Sequence, residues 1–149
     1  MRKIILFIIG IFLTILAIKF MVDNLNNQSM DQVQNYKIFS ETDALPMSIE
    51  DEQRYTPSDQ DIQSGLKILN NQLKNETTIR DLAEYNMRFF GYKNKTGEKI
   101  LWADCFCNTF NGDWQDSSVG VDGGGNCFFQ IKINLDKEEV FDLQVNDLY

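Results

Sequence analysis

The apolar residues of this chain follow three successive patterns. The first is a continuous run: Ile4 to Ile18 is apolar apart from Gly10 and Thr14, with Arg2 and Lys3 before it and Lys19, Phe20, Met21 and Val22 after it. A basic segment ahead of such a run reads as a secretory signal or an uncleaved signal anchor. A spanning helix wants about 20 apolar residues. Ile4 to Val22 reaches that length if Lys19 snorkels toward the interface. A cleavage site wants small residues, and only Ala17 is small, beside bulky Ile18, Phe20 and Met21. Residues 1–22 are therefore expected to form a retained N-terminal hydrophobic helix, with signal cleavage and secretion as the alternative. Arg2 and Lys3 held inside would leave the remainder outside the cytoplasm, either periplasmic or extracellular.

The second pattern has the period of a helix. Pro57 and Ser58 introduce a start, and Asp61 three residues after Ser58 resembles a capping box with Asp in place of Glu. Ile62, Leu66, Leu69 and Leu73 then lie on one stripe, while Ser64, Lys67, Asn71 and Lys74 lie opposite. Ile68 falls off the stripe. A short helical piece is expected around Thr78 to Glu84.

The third pattern alternates. Tyr85 to Tyr92 and Lys99 to Cys107 flank the turn residues Lys93 to Gly97 and read as a hairpin. Ser118 to Asp122 suggests a short strand, and Gly123 to Gly125 a tight turn. Cys127, Phe129, Ile131, Ile133 and Leu135 alternate with Phe128, Gln130, Lys132 and Asn134, the cleanest period of two in the chain. The last strand, Val140 to Asn146, puts Phe141, Leu143 and Val145 on one face.

These elements define an α+β domain over residues 55–149. One amphipathic helix packs on a four- to five-stranded antiparallel sheet, preceded by the N-terminal hydrophobic helix. Residues 23–54 are polar, without a sustained period, and read as a linker. A short strand around Tyr36 to Phe39 is the exception within it.

Composition narrows the chemistry. The 149 residues include no histidine, which removes Ser-His-Asp and Cys-His catalysis and imidazole metal ligands. Without Arg2, Lys3 and Lys19, the 14 basic residues fall to 11 against 22 acidic ones, a net of −11 outside the apolar segment. Such a domain repels nucleic acid and anionic head groups. Its contact with a membrane is expected through residues 4–22 alone, and no nucleic-acid partner is expected.

Three cysteines carry the remaining chemistry: Cys105, Cys107 and Cys127. Cys105 and Cys107, two apart on a strand, share a face. An oxidising compartment favours one disulfide and one free thiol, and Cys127 could pair with either partner. Zinc would need a fourth ligand such as Asp104 or Asp122. A redox site would lack the usual Cys-x-x-Cys at a helix N-terminus.

Other candidates lie in loops. Asp122 to Asn126 reads as a glycine turn or as a backbone nest for an anion. Asp113, Asp116, Asp122 and Asn126 form a calcium candidate whose spacing does not fit an EF-hand. Trp102, Trp114, Phe110, Tyr85 and Phe90 form an aromatic set near the hairpin. Trp114, in a Gly-Asp-Trp-Gln loop, is the candidate for contact with another protein, together with Phe110, Asp113 and Asp116. The alternative is a lid over one end of the core.

From about Tyr55 onward the chain resembles a group of small uncharacterised bacterial envelope proteins. The likeness rests on Tyr85-x-x-Arg88 with Gly91, Trp102-x-x-Cys105-Phe106-Cys107, Asp122-Gly123-Gly124 through Cys127-x-Phe129, and Val145-Asn146. Such proteins often end Asn-Gly-Ala, where this chain runs Asn146-Asp147-Leu148-Tyr149. The resemblance implies a bacterial source and no known activity. The layout also resembles cystatin-like folds, but the Gln-x-Val-x-Gly inhibitory loop is missing, so protease inhibition does not follow. The expectation is a non-enzymatic, membrane-anchored or exported binding module of a bacterial envelope, with no cofactor. A thiol- or metal-dependent protein using Cys105, Cys107 and Cys127 is the alternative.

Overall fold

A computed structural model describes residues 14–19, 35–44, 53–116 and 119–147. Residues 14–19 are helical. The rest of the expected N-terminal hydrophobic helix lies outside the described residues, and no described helix is long and apolar enough to cross a membrane. That expectation is not supported by the structure.

The main body is α+β. In chain order it contains β1 (Tyr36–Ile38), β2 (Gln53–Tyr55), α1 (Asp59–Leu73), β3 (Tyr85–Lys93), β4 (Lys99–Cys107), β5 (Phe128–Asn134) and β6 (Glu139–Val145). The helix begins where the capping pattern places it. The Asp61 backbone N–H donates to Ser58 Oγ at 3.2 Å, and the Ser58 N–H donates back to the Asp61 carboxylate at 3.0 Å. Two of the orphan donors at the helix start are thereby satisfied, a device worth about 1 kcal/mol. Ile62, Leu66, Leu69 and Leu73 face the sheet, and each such buried side chain contributes about 1.5–3 kcal/mol. Ile68 is buried with them. Gly65 allows the close approach: a Cβ there would meet Leu101 Cδ1 at 2.7 Å.

The sheet has six strands and is mixed, which corrects the four- to five-stranded antiparallel expectation. The path β3–β4–β5–β6 is antiparallel throughout, as the alternation implied. The free edge of β3 is shared. β1 pairs in parallel with Met87 to Phe89, and β2 pairs antiparallel with Gly91 to Lys93. β1 falls where a short strand was expected around Tyr36 to Phe39, and β2 straddles the end of the polar stretch read as a linker. They are three residues long, too short to show a period of two. Arg54 joins them by donating to the Ser40 carbonyl at 2.8 Å and the Asp43 carbonyl at 3.3 Å.

Two other expectations change. Val119 to Asp122 is not a strand, because its carbonyls accept hydrogen bonds from side chains instead of a ladder. In β6 the register shifts opposite Gln130 to Lys132, and Asp142 takes φ 58°. The bulge turns Phe141 away from Leu143 and Val145. Val140 joins the core in its place, and Phe141 is 40% exposed.

The helix-facing core holds Tyr85, Met87, Phe89, Leu101, Ala103, Phe129, Ile131 and Ile133. The opposite face is also buried in part: Phe39, Phe90, Tyr92, Ile100 and Trp102 form a second cluster, with Phe39 stacked on Phe90 at 4.6 Å. Gly91 lets β2 reach β3. A Cβ at Gly91 would lie 2.6 Å from the Tyr55 carbonyl oxygen and 2.9 Å from Pro57 Cγ. Both neighbours are stiff, so Gly91→Ala should destabilise the domain by about 1–3 kcal/mol. Urea denaturation checks this, and a change under about 0.5 kcal/mol would mean that β2 yields freely.

Candidate functional site

The sheet face turned away from α1 carries the uncommon chemistry. Alternation and register arrange its side chains in rows across the strands. One row runs Arg88, Asp104, Gln130 and Gln144, and the next runs Phe90, Trp102, Lys132 and Phe141. A third begins Asn86, Phe106 and Phe128.

Arg88 is 0% exposed. Its Nη2 donates to the Asp104 carboxylate and, at 2.8 Å, to the Val119 carbonyl. Its Nη1 donates to the Asp116 carbonyl. Its guanidinium lies 4.5 Å from the centre of the Phe106 ring. One buried cation therefore joins β3, β4 and the loop at residues 108–121. Asp104 is 6% exposed. Burial pushes its carboxyl up from the ordinary value, against the pull of the Arg88 guanidinium and a hydrogen bond from Gln130.

The loop is organised internally as well. The Gln115 N–H donates to Asp113 Oδ1 at 3.1 Å, the Asp116 N–H to the Asp113 carbonyl at 3.1 Å, and the Trp114 N–H to the Gly112 carbonyl at 3.0 Å. Lys37 Nζ donates to the Gln115 carbonyl at 2.8 Å. Phe110 packs on Phe106 at 5.5 Å and Phe128 at 5.3 Å, so its ring is a lid over this end of the sheet. Trp114 is half-buried, and Asp113 and Asp116 are exposed. The rest of the aromatic set divides: Trp102 and Phe90 belong to the second cluster, and Tyr85 to the helix-facing core.

The glycine turn is tied to the C-terminal segment. Gly123, Gly124 and Gly125 take φ 79°, 84° and 59°. Asn146 Nδ2 donates to the Val121 and Gly123 carbonyls at 2.8 and 3.0 Å, and the Gly125 N–H donates to the Asp147 carbonyl at 3.0 Å. The Gly125 N–H that an anion nest would use is thus engaged within the chain. Asp122 is exposed, and Asn126 Oδ1 accepts from Arg80 Nε at 3.3 Å.

Cys107 and Cys127 form a disulfide with Cα atoms 4.8 Å apart. The register chooses this pairing. Cys105 stands opposite Phe129 and Phe106 opposite Phe128, so the next cross-strand pair is Cys107 with Cys127. Cys105 would meet Cys127 only on a diagonal, about 7–8 Å away, beyond disulfide reach. Cys105 is a buried free thiol. Burial, with the Asp104 carboxylate beside it, pushes that thiol well above its ordinary value. A protonated, enclosed thiol is a poor nucleophile and a poor metal ligand. Among the described residues no three of His, Cys, Asp and Glu gather where they could hold a metal ion.

Two clefts adjoin these features. One of about 200 Å³ is lined by Asp104, Phe106, Gly120, Val121, Phe128, Phe129, Gln130 and Asn146. The other, about 360 Å³, lies at the end of α1 between Asn70, Lys74, Glu76, Arg80 and Asp81. Sequence reasoning missed the Arg88–Asp104 pair as a site. The signal is present: a hairpin turning at residues 94–98 sets Arg88 opposite Asp104, two unlike charges in the middle of largely apolar strands.

Comparison with protein-family models, with curated proteins and with solved structures returns no match for this chain.

Removing one partner of a buried ion pair costs about 3–5 kcal/mol. Arg88→Gln should therefore destabilise by that amount and speed amide exchange over residues 112–121, whose carbonyl anchors it removes. Hydrogen exchange by mass spectrometry reads both. Cys107→Ser should leave Cys105 and Cys127 as two free thiols, counted by alkylation of the unfolded chain. A Cys105–Cys127 bond in that variant would show that the strands slide in register.

Proposed function

We propose that this chain is a non-enzymatic binding module that engages another protein through the loop at residues 108–121, carried outside the cytoplasm on the apolar N-terminal segment. The observation that carries the reading is the fully buried Arg88 holding the Asp116 and Val119 carbonyls. A loop fastened this way presents half-buried Trp114 and exposed Asp113 and Asp116 in one arrangement before any partner arrives. Less ordering is then needed on binding, which favours affinity. A tryptophan framed by polar residues is a common anchor of such interfaces. The location is supported by Ile4 to Ile18 behind Arg2 and Lys3. The disulfide suits an oxidising compartment.

A photo-crosslinking residue at Gln115 tests this, with Lys67 on the exposed side of α1 as the control position. In the cells that make the protein, Gln115 should give one discrete protein adduct and Lys67 none. Trp114→Ala should weaken the adduct while leaving the melting temperature in place. Equal adducts from both positions, or none from Gln115, would remove the loop as the contact.

A further inference from the structure

The cleft beside Asp104 has a chemistry of its own. At about 200 Å³ it is smaller than the roughly 300–1,000 Å³ of ordinary small-molecule sites. That volume suits a single long side chain. Phe106, Phe128, Phe129 and Val121 supply apolar walls. Three of the side chains lining it offer acceptors. Asp104 offers its carboxylate. Asn146 spends its Nδ2 on the Val121 and Gly123 carbonyls, which leaves Oδ1 as its acceptor. Gln130 donates its amide to Asp104, which leaves Oε1. Lys132, on the neighbouring row, is held by Asp142 at 2.7 Å and does not supply the complementary charge.

An acceptor-lined, aromatic-walled cleft with a carboxylate in it selects a cation with several donors. An ammonium has three, and aromatic walls favour it further. We propose that this cleft receives the lysine side chain of the protein partner, its methylenes along Phe128 and Val121 and its ammonium at Asp104. The proposal rests on the protein-binding reading above and gives that partner a basic residue. Burial raises the Asp104 carboxyl despite the Arg88 guanidinium beside it. The acidic surroundings steer cations toward it.

The test is a nuclear magnetic resonance titration of the ¹⁵N-labelled full-length protein in detergent micelles with n-butylammonium chloride. Sodium chloride controls for ionic strength, and n-butanol serves as the uncharged analogue. The amides of Gly120, Val121, Gln130 and Asn146 should shift and saturate in the millimolar range, with the alcohol about tenfold weaker or more. Asp104→Asn would also deprive Arg88 of its partner, so two further variants are used. Val121→Phe fills the cleft and should abolish the shifts. Gln130→Leu removes the Oε1 acceptor together with the amide that donates to Asp104, and should weaken them several-fold. Equal response to the alcohol, an unsaturated drift spread over Asp113, Asp122 and Asp147, or a full response in Val121→Phe would each overturn the proposal. None of these outcomes touches the crosslink from Gln115, so the cleft and the loop can fail separately.

Discussion

A sheet whose second face is also partly buried must cover it with chain that has no helix to offer. Here one cation solves that problem. Irregular segments bring unpaired carbonyls, and an unsatisfied buried carbonyl is costly. Arg88 meets two of them, at Asp116 and Val119, while Asp104 neutralises its charge across the hairpin. The lid that Phe110 forms, the placement of Trp114 and one wall of the Asp104 cleft all depend on this fastening. Such a pair adds little net stability over an apolar substitute of equal volume. Its role is specification: a Met and Leu pair would fill the space without telling the loop where to stop.

The same logic recurs at the ends of the sheet. Asn146 gives both amide hydrogens to carbonyls of the glycine turn, and the Tyr85 hydroxyl accepts from the Arg80 N–H while donating to the Asn126 carbonyl. The Cys107–Cys127 bond closes the intervening segment between β4 and β5. Residues 108–116 and 119–126 are thus anchored at several points by side chains. They have the form of a loop and the attachment of a core element. Tyr85, Arg88, Cys107, Cys127 and Asn146 all serve this attachment.

Legibility followed length and period. The helix, its capping box and the four long strands could be read because each carries a sustained 3.6 or 2.0 pattern. β1 was expected as a short strand around Tyr36 to Phe39, but β2 could not be read, since three residues hold no period and the pairing of both is fixed by what β3 leaves open. The bulge at Asp142 was hidden because alternation assumes an unbroken strand, and one left-handed residue reverses every face after it. For the site, the sequence singled out loop residues by exposure. Trp114 is half-buried, and Phe110 packs on Phe106 and Phe128. The cysteine pairing needed register, which follows only once the hairpin and the fifth strand are aligned.

The unequal treatment of the two sheet faces gives the domain its polarity. Toward α1 the rows are mainly apolar, and the Cys105 thiol is sealed among them. Away from α1, the rows change from closed to open as the sheet is crossed. Arg88 and Phe90 are sealed on β3, Gln130 and Lys132 are half-exposed on β5, and Phe141 and Gln144 lie open on β6. Asp104 stands at the boundary between covered and uncovered halves. A carboxylate there is too buried to be freely solvated, and it borders a cleft into which another donor can reach. The Arg88–Asp104 pair thus serves two neighbours at once, the loop whose carbonyls Arg88 holds and the cleft that Asp104 borders.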